Sequence, residues 1–255
     1  MSSEAIATRP APKRLFAPYN KWDRDFFLLY VALIWLGIVM GFGGEMIHRA
    51  NTHATPFPLI VPIHAVVFVS WLVLLTTQVL LIRNRRHDLH KILGIAGLCL
   101  AAAMLVLGPA AAIIMQRMQF GTPDSDPPFL AIQLLGVATF GVLVAAAFVL
   151  RGDPSAHKRL ILLGTLYISD AGFARWLSGD IHAVLGSGFW PDFLGLDLAN
   201  DVLMLGIGAY DLATRRRLHP AYVVGTLFVL ATQITVTFLY HSPAWKEVTL
   251  RIIGH

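Results

Sequence analysis

The sequence predicts an all-α protein, an integral membrane bundle of seven transmembrane helices. Hydrophobic residues make up 56% of the 255-residue chain and charged residues only 14%, far from the averages of soluble domains. The apolar residues are collected into runs of about 20, the length that a helix needs to cross the hydrocarbon core. These runs lack the alternating pattern of a transmembrane barrel.

Seven apolar segments meet this length, and each is expected to form one membrane-spanning helix. They cover approximately residues 25–43, 58–82, 91–116, 129–150, 156–176, 198–213 and 221–240. They divide the chain into a cytoplasmic polar tail at 1–24, the seven-helix transmembrane domain at 25–241 and a short external tail at 242–255. The connection 177–196 is the only long one inside the bundle, and it is expected to cap the outer interface.

Small residues four positions apart predict where helices approach closely. Gly37 and Gly41 have this spacing in the first helix, and Gly97 and Ala101 have it in the third. Two such residues lie on one helix face, where they let a neighbouring backbone come near.

Proline and aspartate predict the starts of three helices. Asp126-Pro127 and Asp153-Pro154 each place an N-capping carboxylate before a proline. The missing N–H of that proline costs nothing at the first helical position. Pro220 is expected to open the seventh helix in the same way.

The distribution of Lys and Arg predicts the orientation. Of the 20 such residues, 15 lie in the N-terminal tail or near every second connection. They are Arg9, Lys13, Arg14, Lys21 and Arg24, then Arg83, Arg85, Arg86 and Lys91, then Arg151, Lys158 and Arg159, then Arg215, Arg216 and Arg217. The positive-inside rule therefore predicts a cytoplasmic N-terminus and an external C-terminus, the orientation expected here for a protein of the bacterial inner membrane.

Composition also excludes several classes of protein. The first 22 residues lack an apolar core followed by a cleavage site, so we expect a retained tail instead of a signal peptide. The basic residues alternate with apolar spans, which argues against a nucleic-acid partner despite the net charge of +5. Cys99 is the only cysteine, so intramolecular disulfides and thiolate metal clusters are excluded.

An outer polar layer is predicted from residues on five helices. At 1.5 Å per residue these positions fall about 5–10 Å below the outer helix ends. The predicted members are His64, Gln133, Asp170, Asp201 and Gln233. An aspartate near a helix centre costs about 2.5–3.5 kcal/mol on the insertion scale. Asp170 is therefore expected to face the bundle, with His64, Arg175 or a proton of its own as partner.

The ionisable members of this layer have a functional and a structural interpretation. Ionisable residues inside a membrane usually mark a functional site, so His64, Asp170, Arg175 and Asp201 are candidates for a site that binds a small molecule, a proton or a metal ion. In the structural alternative the two aspartates and Arg175 form an ion pair with ordered water, to which His64 hydrogen bonds. The metal version has less support, because the helices offer no His-x-x-x-His pair.

A second, inner layer of histidines lies beside the basic connections. His90 starts the third helix and His157 the fifth, and both helices rise from the cytoplasmic side. Imidazole ligates haem iron and other transition metals, so these two residues are candidate haem or metal ligands. In the alternative interpretation they only meet water or lipid phosphate at the headgroup level.

Four motifs together resemble a group of uncharacterised bacterial multi-pass membrane proteins. They are His64 with Gln78, Leu89-His90-Lys91-Ile92-Leu93-Gly94, His157-Lys158-Arg159-Leu160 followed by Arg175, and His219-Pro220-Ala221-Tyr222. The similarity covers most of the chain and implies the architecture and a set of residues, without a reaction. Such proteins more often have arginine at the position of Lys91, so a role that needs a bidentate guanidinium there is not implied.

Three functions remain open at this stage. The leading prediction is a multi-pass protein that binds a small molecule or relays protons through an outward-facing polar pocket. The alternatives are a membrane oxidoreductase or electron carrier with haem or a metal ion, and a structural or assembly subunit of a membrane complex. The sequence has no nucleotide-binding loop, Gly-x-Ser-x-Gly elbow or His-Glu-x-x-His helix, so ATPase and hydrolase functions have no residues to support them. Expected partners are membrane lipid and a small-molecule ligand.

Overall fold

The computed structural model describes residues 16–52 and 56–255, and it confirms an all-α membrane bundle. The α-helices in this part are α1 (Asp23–Thr52), α2 (Ile60–Arg83), α3 (His87–Gln119), α4 (Leu130–Val149), α5 (Pro154–Ile168), α6 (Asp170–Leu185), α7 (Phe189–Arg215), α8 (Pro220–Tyr240) and α9 (Pro243–Ile253). A 3-10 turn at Pro127–Phe129 precedes α4, and the described residues contain no strand. Most of the predicted polar tail, residues 1–15, lies outside the described part.

Six of these helices are each long and apolar enough to cross a membrane. They are α1, α2, α3, α4 together with the 3-10 turn before it, α7 and α8. The pair α5 and α6 bends by 48° at its break and makes a seventh span if the two halves are counted together. Large apolar side chains remain exposed on the bundle, as in Val184 and Val149, which is the surface that lipid requires.

The structure differs from the sequence-based boundaries between residues 156 and 213. The predicted fifth helix breaks at Ser169 and then continues to Leu185, and the next helix begins at Phe189. The connection predicted at 177–196 is therefore mostly helical, and the chain turns within residues 186–188. Gly186 and Gly188 adopt φ values of 79° and 129°, which residues with a side chain rarely adopt.

The predicted helix starts are partly confirmed. The Asp153 carboxylate accepts hydrogen bonds from the backbone N–H groups of Ser155 and Ala156, and α8 begins at Pro220. Asp126 does not cap a helix. Its carboxylate instead accepts a hydrogen bond of 2.9 Å from the Tyr240 hydroxyl.

Helices that follow one another in the chain pack side by side, and α6 also packs on α1. The contact between α1 and α6 is a close backbone approach, as the small residues predict. A Cβ atom at Gly41 would lie 2.0 Å from the carbonyl oxygen of Gly172, and one at Gly37 would lie 2.5 Å from the Phe173 ring. A Cβ atom at Gly97 would lie 3.3 Å from the side chain of Leu74, which confirms the second predicted contact face.

The bundle has two distinguishable ends. We call the end with the 84–86, 150–153 and 216–219 connections the basic end, and the other the opposite end. The predicted tail at 242–255 forms α9 at the opposite end. The Trp245 indole there donates a hydrogen bond of 3.1 Å to the carbonyl oxygen of Pro128, and Arg117 donates one of 3.1 Å to that of Ile252.

Candidate functional site: a carboxyl cluster inside the bundle

Three carboxyl groups come together between the α5–α6 break and α7. We call Asp170, Asp197 and Asp201 the carboxyl cluster. The Asp197 carboxyl interacts electrostatically with the other two, and the hydroxyl of the buried Tyr167 interacts with all three. The break at Ser169 matters here, because it makes Asp170 the first residue of α6, where the carboxylate accepts a hydrogen bond from the Ala171 N–H.

Two amide side chains complete the surroundings of the cluster. The Gln233 Nε2 on α8 donates a hydrogen bond of 3.0 Å to Asp201 Oδ1, and the side chain also interacts with Asp197. Gln233 is completely buried, and its Oε1 has no hydrogen-bond partner. Asn200 is also completely buried, and neither its Oδ1 nor its Nδ2 has a hydrogen-bond partner. A buried polar atom without a partner costs about 1–3 kcal/mol, so this region favours additional protons or polar ligands.

The cluster lies deeper than the sequence predicts. Asp170 is almost equally far from the two ends of the α5–α6 pair, Pro154 and Leu185. Asp201 is 12 positions after the start of α7 at Phe189, or about 18 Å along the helix. The difference arises because the sequence prediction ended the fifth helix too early and began the sixth too late.

His64 and Gln133 are not part of this cluster. His64 is five residues into α2 and Gln133 four into α4, both near the opposite end. The His64 ring packs on Phe68 with 4.0 Å between centroids. Its Nδ1 and the Gln133 Oε1 are buried without hydrogen-bond partners. Within residues 16–52 and 56–255, no hydrogen bond or ion pair joins His64 to Asp170.

Arg175 lies at the edge of the cluster. Its side chain is exposed and donates a hydrogen bond of 2.8 Å to the carbonyl oxygen of Ala171. The guanidinium carbon lies 4.5 Å from the centre of the Phe42 ring. Arg175 interacts electrostatically with both Asp170 and Glu45, so its charge is shared between the cluster and α1.

His90 and His157 are brought together at the basic end. Their ring centroids are 6.3 Å apart and their planes nearly perpendicular. The His157 Nδ1 lies 2.8 Å from the carbonyl oxygen of Ala147, an interaction that fixes the ring. The His90 Nδ1 is buried and has no partner, and its backbone carbonyl accepts a hydrogen bond from Gln78.

A buried ion pair at the basic end was not anticipated from the sequence. Arg159 and Asp211 are both completely buried. The guanidinium binds the carboxylate through two nitrogens, one of them at 2.7 Å, and also donates to the carbonyl oxygen of Ser155 at 2.8 Å. This pair connects α5 to α7.

The ion pair continues into a network that reaches the first helix. Arg215 lies 3.7 Å from Asp211 and donates to both carboxylate oxygens of Asp23. Lys158 and the Tyr210 hydroxyl also bind Asp23, each at 2.7 Å. We call Asp23, Lys158, Arg159, Asp211 and Arg215 the buried ion-pair network. Its cations have carboxylate partners, which favours a structural role for it.

The sequence contained signals for some of these residues. Asp197 and Asp201 are four positions apart, the spacing that places two side chains on one helix face. Assigning residue 197 to the edge of a loop concealed that spacing. Lys158, Arg159 and Arg215 were counted as topology signals, and nothing local distinguishes a lipid-facing arginine from one that meets an aspartate 52 residues later.

Comparison with models of known families, with curated proteins and with solved structures finds no match for this chain.

Proposed function

We propose that this multi-pass membrane protein relays protons through the carboxyl cluster. The observation that carries the proposal is the interaction of Asp197 with both Asp170 and Asp201 in the interior of the bundle. Carboxyl groups in this position are costly unless they are paired or protonated. The described part of the chain supplies Arg175 as the only cation that interacts with the cluster directly, so protons are the simplest way to balance the remaining charge.

The distribution of the three carboxyl groups over two elements supports a relay instead of a single trap. They stand on two different elements, the start of α6 and the middle of α7. Gln233 binds Asp201 through its Nε2, and its buried Oε1 has no partner, so this oxygen can accept a hydrogen bond from a protonated carboxyl group. A small molecule that carries hydrogen-bond donors would use the same acceptors, and it is the second form of this hypothesis.

Proton flux in reconstituted vesicles tests the proposal. Purified protein is placed in liposomes that contain a pH-sensitive dye, and a potassium gradient with valinomycin sets the membrane potential. We expect the wild-type protein to acidify or alkalinise the interior according to the sign of the potential. Asp197→Asn keeps the size of the side chain and removes its exchangeable proton, so the flux should fall at least tenfold.

Asp180→Asn is the matched control, because Asp180 is an exposed residue of α6 that lies outside the cluster. This variant should keep the wild-type flux. Wild-type flux equal to that of protein-free liposomes, or equal flux in wild type and Asp197→Asn, would overturn the proposal.

A second candidate function is haem or metal binding at His90 and His157. Metal–nitrogen bonds of about 2 Å place two imidazoles that share an ion roughly 5–6.5 Å apart between centroids, and the observed separation is 6.3 Å. The bond from His157 to Ala147 resembles the outer contacts that orient ligating histidines. In the described residues no group of three or more His, Cys, Asp or Glu suits a metal ion. Haem would need only two ligands from the protein, and His90 and His157 would supply them.

The absorption spectrum and metal content of the purified protein test this candidate. A Soret band that is lost in His157→Ala but kept in His87→Ala would support haem binding. His87 is the matched control because it lies in the same basic turn and is exposed. A wild-type protein with neither a Soret band nor bound metal would contradict the candidate.

The location and grouping of the protein remain proposals as well. The resemblance to bacterial multi-pass proteins supports a bacterial inner membrane. The excess of Lys and Arg at the basic end supports a cytoplasmic position for that end, and an odd number of spans would then place the C-terminus outside. Membership of the group of bacterial multi-pass proteins rests on the four motifs. In the third possible role, a structural or assembly subunit, the cluster would serve helix packing and its variants would change stability without changing flux.

A further inference from the structure

A carboxylate at the opposite end bridges two histidines from different helices. The Asp192 Oδ1 lies 2.7 Å from the His182 Nε2, and the Asp192 Oδ2 lies 2.9 Å from the His241 Nε2. His182 belongs to α6 and Asp192 to α7, while His241 directly follows α8. The three side chains therefore connect the ends of three helices, and all are partly accessible from outside the bundle.

The geometry at His182 requires one additional proton. The His182 Nδ1 lies 2.7 Å from the carbonyl oxygen of Ser178, which can only accept a hydrogen bond, so this nitrogen must donate. The Nε2 faces a carboxylate oxygen, and that contact needs a proton on the histidine or on Asp192. In either arrangement the His182–Asp192 pair carries one proton more than a neutral imidazole and an ionised carboxylate. His241 needs none, because a neutral imidazole can donate from Nε2.

The backbone of α7 is adapted to this contact. A Cβ atom at Gly195 would lie 2.8 Å from the Cε1 of His182, so a larger residue would force the ring to move. Phe189, in the first turn of α7, packs against His241 with 5.9 Å between ring centroids. The contact between the helices is thus supported on both sides of Asp192.

Few other charges act on these three side chains. Tyr240 interacts electrostatically with Asp192, and its hydroxyl is bound to Asp126. Among the described residues, no hydrogen bond or ion pair joins His182, Asp192 or His241 to the other titratable groups at this end, which are Glu45 and His48 of α1, Asp180 of α6, and Lys246 and Glu247 of α9. The Arg49 guanidinium lies 3.8 Å from the centre of the Phe57 ring. The His182–Asp192 pair is therefore the charge-bearing contact between α6 and α7 at this end.

We propose that His182, Asp192 and His241 form a proton-dependent latch that holds α6, α7 and α8 together at the opposite end. With the additional proton, both nitrogens of His182 are satisfied and the latch is closed. When that proton leaves, the single N–H of the neutral ring cannot serve both the Ser178 carbonyl oxygen and the Asp192 carboxylate, so one of the two contacts is lost and the latch is weakened. This inference does not depend on proton relay by the carboxyl cluster.

Fluorine NMR on the full chain in detergent micelles tests the latch. Cys99 is replaced by alanine, and a trifluoromethyl label is attached at Val184→Cys, because Val184 is 82% exposed and lies two residues beyond His182. We expect one resonance at low pH and a second that grows as the pH rises. The change should follow a titration of about one proton, since the linkage involves a single site.

Three variants separate the latch from a general effect of pH. Asp192→Asn and His182→Gln each remove a titrating partner and should abolish the pH-dependent change. His48→Gln removes an exposed histidine elsewhere and should leave it intact. A label that is insensitive to pH in the otherwise wild-type chain, or an unchanged titration in both latch variants, would overturn the proposal.

Discussion

Arg159 and Asp211 form a completely buried ion pair that connects α5 to α7. Removal of one partner leaves the other charge buried and unpaired, which typically costs about 3–5 kcal/mol. We therefore expect Asp211→Asn and Arg159→Met to lower the thermal unfolding temperature in detergent sharply. Arg159→Lys should also be destabilised, because an ammonium cannot form the two-nitrogen contact.

Two further variants show whether burial is the cause. The double variant Arg159→Met with Asp211→Leu removes both charges and should recover much of the lost stability. Arg83→Met breaks the exposed pair with Asp25, for which we expect a change of only about 0–1 kcal/mol. Equal losses for the exposed and the buried pair would contradict this account.

The contact of α1 with α6 predicts a strong effect of small substitutions. Gly41→Ala would place a Cβ atom 2.0 Å from the Gly172 carbonyl oxygen, so the two helices must separate. Overpacking of this kind costs about 1–3 kcal/mol, and we expect a lower unfolding temperature. Gly44→Ala is the control, because a Cβ atom there meets nothing within 4 Å and alanine favours the helix. Similar unfolding temperatures for the two variants would argue against the close approach.

His219 predicts a pH dependence of stability at the basic end. The pKa of His219 is held below its ordinary value of 6.5, chiefly because burial disfavours the charged ring. Its Nδ1 accepts a hydrogen bond of 3.2 Å from the Ala221 N–H, and its Nε2 lies 3.3 Å from the Asp153 carboxylate. The neutral ring therefore serves as the cap of α8.

The sign of the effect follows from this lowered pKa. Below about pH 6.5 the unfolded chain takes up a proton that the folded chain resists, so the free energy of unfolding should fall as the pH falls. His219→Asn retains an N-capping acceptor and should flatten this dependence. Unfolding in detergent measured between pH 5 and pH 8 checks the prediction, and identical slopes for the variant and the wild type would refute it.

The features predictable from sequence are those set by local chemistry. The apolar runs gave the fold class, Asp153-Pro154 gave a helix cap, and Gly37 with Gly41 gave a helix contact. Each depends on residues close together in the chain. The turn at residues 186–188 was not predicted, because Trp190-Pro191 and several glycines made a mostly helical stretch resemble a loop. The break at Ser169 was not predicted either, because it lies inside the segment 156–176 that was assigned as one helix.

The arrangement of the polar residues could be predicted only in part. The importance of Asp170, Asp201 and Gln233 follows from the cost of burying them, and the structure brings these three together. Which other residue joins them depends on the rotation of each helix, so Asp197 was missed and His64 was assigned to the same layer although it lies elsewhere. Arg159 illustrates the same difficulty, since its partner Asp211 is distant in sequence.

The central claim, that the carboxyl cluster holds exchangeable protons, is tested most directly by infrared spectroscopy of the purified protein as the pH is varied. The C=O stretch of a protonated carboxyl group is separate from that of a carboxylate, and it shifts in heavy water. We predict such a band in the wild type and in Asp180→Asn, and its reduction in Asp197→Asn. If the wild type lacked this band at pH 7, where exposed carboxyl groups are ionised, or if the band were unchanged in each of Asp170→Asn, Asp197→Asn and Asp201→Asn, the claim would be contradicted.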